Sequence, residues 1–292
     1  MREVIDWIAV DDGVEVYLED TGPLEAPAIV VLHSGPGGSS YTLREGLEEY
    51  LEGFRAIYFD QRGGGRSPAL PEESRLFTID ALVGDLFHLH DHLGLRKWTL
   101  LAHGFGAVQA LEYARRSPDT TERVVLINPW TNFPWLARQL YRASLALRGL
   151  DPNIDTELAQ DSTRLLQEAF ATVDPKVVFD RLLFPSQHSR MEYEWLAEGS
   201  GIVGADTPGR MFALNGLWRF DYTPYALEVR SATSVLLGTS DASSYPEAQT
   251  IADLVGGSLE LIEGAGHYPW IDQPEAFAEA LQNALQDLLR EP

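Results

Sequence analysis

The chain contains no cysteine, which removes disulfides, thiolate metal sites and cysteine nucleophiles from consideration together. It also lacks any stretch near the ~18 consecutive apolar residues that a membrane span requires. Its first residues, Met1-Arg2-Glu3-Val4-Ile5-Asp6, hold no basic segment leading into an apolar run, so no signal peptide is expected. Basic side chains are scarce: 22 Lys and Arg stand against 44 Asp and Glu, a formal charge of −22. Such a field repels polyphosphates, so neither nucleic acid nor an anionic membrane surface is an expected partner. What the chain has in quantity is apolar substance, 45% of 292 residues. That is enough for a large core and excludes bulk disorder. A globular, cytoplasmic protein is expected.

Short apolar runs at 28–32, 55–59, 98–102, 123–127, 234–238 and 258–262 read as buried strands. Two more, 4–10 and 14–19, meet at Asp12-Gly13, a hairpin signal. Helical periodicities lie between the runs. One is opened by Thr78, with Ile79, Leu82, Val83, Leu86 and Leu93 on one face, and another covers 107–116. A last one carries Phe277, Ala280, Leu281, Ala284, Leu285, Leu288 and Leu289. Strands apolar throughout, alternating with helices, predict an α/β fold: a mostly parallel sheet with helices on both faces. From 129 to 222 the alternation stops, and helical patterns at 136–147, 158–173, 175–183 and 191–198 follow one another. The expected organisation is a core in two parts, 1–128 and 223–292, with a helical cap, 129–222, inserted over the sheet's carboxyl edge, where open α/β sheets bind ligands.

The segment Leu100-Leu101-Ala102-His103-Gly104-Phe105-Gly106-Ala107 lies between a strand and a helix, the setting of the nucleophile elbow G-x-S-x-G. Ala102 and Gly106 are the small residues such a turn needs. Gly104 takes the central place; its backbone fits the strained turn, but it has no side chain to attack a carbonyl. Asp241 and His267 follow two later strands, in the order nucleophile, acid, base expected of an α/β hydrolase. Each alone is an ordinary residue; together, on those loops, they are a candidate acid and base. In His33-Ser34-Gly35-Pro36-Gly37-Gly38 the glycines let backbone N–H groups approach a reacting oxygen, and the elbow adds another. Gly35 and Phe105 are therefore the oxyanion-hole candidates. Neither Gly-rich loop carries G-x-x-x-x-G-K-[ST] or a G-x-G-x-x-G opening a helix, which sets nucleotide binding aside. His88, His90 and His92 share a helix without the further ligands a zinc site needs, so no metal and no cofactor is expected. Ser34 and His103 are read as lining residues.

His33-Ser34-Gly35-Pro36-Gly37 resembles the H-G-G-P-G loop of proline iminopeptidases, and Asp60-Gln61-Arg62-Gly63-Gly64-Gly65-Arg66-Ser67 resembles their D-Q-R-G-x-G-R-S loop. These are cap-bearing α/β hydrolases that release N-terminal proline from peptides. The resemblance follows the whole chain in order. It implies the α/β-hydrolase fold, oxyanion N–H groups from Gly35 and Phe105, Asp241 as triad acid and His267 as base. It also implies a small-molecule or short-peptide substrate. The chain departs from the pattern at Gly104, where the nucleophile should be, and at Ser34, which replaces a glycine. The family holds the substrate's amine with carboxylates from the cap and from the position after the triad acid. That position is Ala242 here, which leaves Glu194 and Glu198 of the cap as substrate-binding candidates. The reading is a proline-iminopeptidase-like hydrolase whose serine chemistry is lost or altered. Its alternatives are a binding or regulatory protein that keeps the pocket, a cofactor-free enzyme using Asp241 and His267 as general base, or a peptidase whose serine was deliberately replaced.

Overall fold

The structure, a computed structural model, describes residues 2–153 and 157–289. Strands β1 (Glu3–Ala9) and β2 (Glu15–Thr21) form an antiparallel hairpin, turned through a 3-10 segment at Asp11–Gly13. Beyond them lie β3 (Ala28–Leu32), β4 (Arg55–Phe59), β5 (Trp98–His103), β6 (Thr121–Ile127), β7 (Thr233–Gly238) and β8 (Ser258–Ile262). All belong to one sheet of order β1-β2-β4-β3-β5-β6-β7-β8, parallel from β4 to β8. Alternate residues of each strand feed two separate cores. Val30, Leu32, Leu100, Ala102, Val124 and Leu126 face one layer; Ile29, Val31, Leu101, Val125 and Ile127 face the other. With apolar side chains on both faces the central strands read as largely apolar runs, β3 without a break. β8 differs: it is an edge strand, and Leu259 and Leu261 stay exposed.

Helices α1 (Tyr41–Leu47), α2 (Ile79–Leu93) and α3 (Gly106–Arg116) connect the first strands. The start of α2 follows its cap, for Thr78 accepts a hydrogen bond from the Ala81 N–H, and Gly94 closes the helix at φ +62°. Six helices separate β6 from β7, and no strand of the described residues interrupts them: α4 (Phe133–Leu147), α5 (Ser162–Phe170), α6 (Pro175–Leu183), α7 (Gln187–Gly199), α8 (Asp206–Leu214) and α9 (Thr223–Ala226). Asn132, Asp161, Asp174 and Ser186 each cap one of them. The helix expected over 158–173 is in fact a 3-10 turn, Leu158–Gln160, followed by α5, because Asp161 caps a fresh start. After β7 come α10 (Glu247–Val255), α11 (Pro269–Asp272) and α12 (Pro274–Leu285). α12 ends before Leu288 and Leu289. No helix of the described residues is long and apolar enough to cross a membrane.

Candidate active site

β5 ends at His103 and α3 begins at Gly106, and the turn between them holds Gly104 at φ +52°. That is the left-handed region, where a β-carbon costs about 1–2 kcal/mol. The Gly104 N–H donates to Ile127 O (3.1 Å) and its carbonyl accepts from the Trp130 N–H (3.0 Å). A β-carbon on Gly106 would lie 2.6 Å from the Leu32 carbonyl oxygen, so glycine is what lets α3 pack against the end of β3. The strand-to-helix turn thus has a left-handed residue at its centre, and that residue carries no side chain.

Asp241 and His267, both fully buried, meet below this turn: His267 Nδ1 donates to Asp241 Oδ2 at 2.8 Å. The other carboxylate oxygen accepts from the Ser243 hydroxyl (2.5 Å) and the Ser243 N–H (2.9 Å). Trp130 donates its indole N–H to the Ser243 hydroxyl (2.9 Å) and stacks on the His267 ring at 4.9 Å and 21°. With Nδ1 committed to the carboxylate, Nε2 carries the imidazole's lone pair. His267 Nε2 is buried and has no hydrogen-bond partner. The loop below it is held from three sides. Asn128 Nδ2 donates to the Gly266 and His267 carbonyls (2.9 and 3.0 Å), His103 Nε2 donates to the His267 carbonyl (2.8 Å), and the Gly266 N–H donates to Asp272 Oδ2 (2.7 Å). Burial pushes the Asp272 carboxyl above its ordinary pKa and holds the His103 imidazole well below its own. His103 is therefore a neutral prop.

The loop after β3 faces the elbow. Gly35 has φ +69°, and no hydrogen bond from the Gly35 or the Phe105 N–H is found among the described residues. His33 anchors the loop: its Nδ1 donates to Ser34 O (3.0 Å) and its Nε2 accepts from the Gln61 N–H (3.0 Å), while burial lowers its pKa. The charged residues of 60–67 turn away from the site. Asp60 accepts from the Ser40 N–H (2.6 Å) and Arg66 Nε (2.8 Å), and Arg66 also pairs with Glu19. Burial alone would raise the Asp60 carboxyl, but Arg66 outweighs it and leaves the pKa low. Arg62 forms a fully buried two-pronged pair with Asp85 of α2 (2.7 and 2.5 Å). This loop is scaffolding for the site.

A cavity of about 310 Å³ opens between the loop after β3 and α7. His33, Ser34, Gly35, Thr42, His103, Trp130 and Tyr268 line one side of it, and Tyr193 and Ala197 of α7, with Ser200 just past the helix end, line the other. None of its lining residues is Asp, Glu, Lys or Arg. Glu194 and Glu198 are not on the cavity face. Glu194 binds Lys176 (2.7 Å), whose hydrogen bond lowers its carboxyl pKa, and Glu198 is exposed. Ala242 donates its N–H to Leu182 O at the end of α6 (3.1 Å). The three helix histidines diverge: His88 pairs with Asp11 (2.9 Å), and His90 packs on Trp98 and Tyr113. Ser243, Trp130, Asn128 and Asp272 escape a reading of the sequence. Only Ser243 carries a signal there, two residues after an aspartate, the spacing at which Asx turns close.

A family model described as the alpha/beta hydrolase fold matches residues 27–190. The chain is 27% identical to a proline iminopeptidase of Lactobacillus helveticus over 97% of this chain and 98% of the relative. It is 24% identical to a putative carbamate hydrolase of Enterobacter cloacae over 90% and 93%. A proline iminopeptidase-related protein from Thermus thermophilus, known from its crystal structure, is 52% identical with a TM-score of 0.91, covering 99% of both chains. An elbow between β5 and α3, an eight-stranded sheet in this order and these matches lead to one conclusion: the chain belongs to the α/β-hydrolase fold family and is proline-iminopeptidase-related.

Proposed function

We propose that this protein hydrolyses small uncharged acyl compounds, with His267 as general base, Asp241 as its orienting acid, and the Gly35 and Phe105 N–H groups receiving the oxyanion. The observation that carries this reading is the buried Asp241–His267 pair at 2.8 Å, whose Nε2 is left without a partner beside Gly104. A buried nitrogen without a partner costs about 1–3 kcal/mol, a cost that a base awaiting a proton explains. Segment 129–222 acts as a cap, since α7 supplies one wall of the cavity.

The relatives bear names of a proline iminopeptidase and a carbamate hydrolase, and both names describe cleavage next to a carbonyl. The lining favours a neutral substrate over one with a free N-terminal amine. An ammonium group taken from water into this cavity would meet no carboxylate, at a cost of several kcal/mol. Release of N-terminal proline is accordingly the weaker of the two activities. Gly104 itself supplies no attacking group, so the base must activate a hydroxyl or a water. The test is turnover of p-nitrophenyl acetate and butyrate beside proline p-nitroanilide, with wild type, His267→Ala and Asp241→Asn. Ester hydrolysis lost about 100-fold or more in both variants supports the reading. Esterase activity unaltered in His267→Ala, or none in the wild type, overturns it. The latter result favours a binding protein, for which the absent side chain at Gly104 is the supporting observation.

A further inference from the structure

β3 and β5 are neighbouring parallel strands with Leu32 opposite Ala102. Two residues further along, each strand enters its loop, so Ser34 and Gly104 occupy equivalent positions side by side. The contact is intimate. A β-carbon on Gly104 would overlap the Ser34 hydroxyl oxygen, lie 2.9 Å from Ser34 Cβ and lie 3.1 Å from His267 Nε2. The Ser34 side chain therefore fills the space that a nucleophile's side chain at 104 would use, next to the free nitrogen of the base. It is also the group between that base and the ligand space. Ser34 lines the cavity, whereas His267 is fully buried and neither it nor Gly104 is among the lining residues.

We propose that the nucleophile has moved from the elbow to the facing loop, and that Ser34 is the catalytic serine. The proposal rests on the general-base reading above and names the hydroxyl that the base activates. The roles of the two loops are exchanged. The residue after a nucleophile supplies one oxyanion N–H and the opposite loop the other; with Ser34 attacking, Gly35 is the following residue and Phe105 the opposite one. The same two donors serve.

In the first step His267 Nε2 takes the Ser34 hydroxyl proton as Oγ bonds to the substrate's carbonyl carbon, and the displaced electron pair goes to the carbonyl oxygen between the Gly35 and Phe105 N–H groups. Collapse breaks the bond to the leaving group, which takes the proton from Nε2. Water then gives a proton to Nε2 and attacks the acyl carbon; the carbon–Oγ bond breaks and Ser34 recovers its proton. No oxidant, metal or co-reactant other than water is needed. Ser34 Oγ and Nε2 are not hydrogen-bonded in the resting structure, and such contacts tighten when substrate arrives.

A fluorophosphonate probe tests this without knowledge of the substrate. Wild type, Ser34→Ala, His267→Ala and the exchange variant Gly104→Ser/Ser34→Gly are labelled and mapped by peptide mass spectrometry, and their ester hydrolysis is measured. The expected result is one label per chain on Ser34 in wild type, slowed about 100-fold or more in His267→Ala and absent in Ser34→Ala. The exchange variant should carry its label at position 104. Label on the exchange variant but not on wild type overturns the proposal, because the base and oxyanion hole then work while Ser34 is idle. Ester hydrolysis that needs His267 but survives Ser34→Ala also overturns it, leaving the general-base reading intact with water as nucleophile. No label on either protein, with no hydrolysis, removes both.

Discussion

Gly104→Ser probes the contested space between the two loops through stability alone. The new β-carbon meets the Ser34 hydroxyl and stands 2.9 Å from Ser34 Cβ, an overpacking that costs about 1–3 kcal/mol. Holding a side chain at φ +52° adds about 1–2 kcal/mol. The single variant should therefore lose about 2–5 kcal/mol, a large share of the stability of an ordinary domain. Ser34→Gly removes a hydroxymethyl group and frees the unfolded backbone, for a loss of about 0.5–1 kcal/mol. In the double variant the overlap is gone while the backbone strain at 104 remains. It should then be more stable than the sum of the single effects by about 1–3 kcal/mol, the size of coupling found between residues in contact. Urea unfolding of the four proteins at about pH 7.5 measures this, with midpoints compared at a common slope. Single effects that add to within about 0.5 kcal/mol would refute the claim that these side chains compete for one volume.

The strands are legible because a parallel strand covered on both faces is apolar at every position, and β3, β4 and β8 have the bounds read from the sequence. β8 keeps its bounds but not its burial, and the one sign of an edge in its composition is Glu260 at its centre, where β3 is apolar throughout. Asp241 and His267 can be found by their order and by the loops they occupy. Their supports cannot. Trp130 reaches Ser243 across 113 residues of chain, and no local pattern announces such a contact. The sequence marks Ser34 as a lining residue, which its place in the cavity wall agrees with; its meeting with Gly104 depends on β3 lying in register beside β5. Glu194 and Glu198 show a different limit. Helix α7 is legible, but its phase is hidden, because Met191 and Trp195 are apolar and yet 55% and 74% exposed. The face that meets the cavity carries Tyr193 and Ala197, with Ser200 at the helix end.

Three further outcomes are expected. Arg62→Met strands the Asp85 carboxylate in a fully buried site and should cost about 3–5 kcal/mol, read by thermal unfolding; an unchanged melting temperature would show the pair to be dispensable. Glu194→Gln and Glu198→Gln should leave kcat/KM for a neutral ester within about twofold, whereas a tenfold loss would return these carboxylates to the binding site. The last outcome concerns pH. Burial holds His33, His90 and His103 below their ordinary 6.5. As pH falls past that value the unfolded chain takes up protons that the native histidines refuse, so stability is full above 6.5 and declines below it. Each such group contributes a slope of up to about 1.4 kcal/mol per pH unit until its folded pKa is reached. The depressed carboxylates Asp20 and Asp60 act in a lower window, below their ordinary 3.8. Asp85 and Asp272, raised by burial, contribute with the opposite sign, so the comparison is between wild type and His103→Gln from about pH 7.5 to about pH 5. The variant keeps a donor for the His267 carbonyl but has nothing to protonate, and its urea midpoint should fall less steeply with acid. Parallel curves for the two proteins would mean that His103 is not buried as a neutral group.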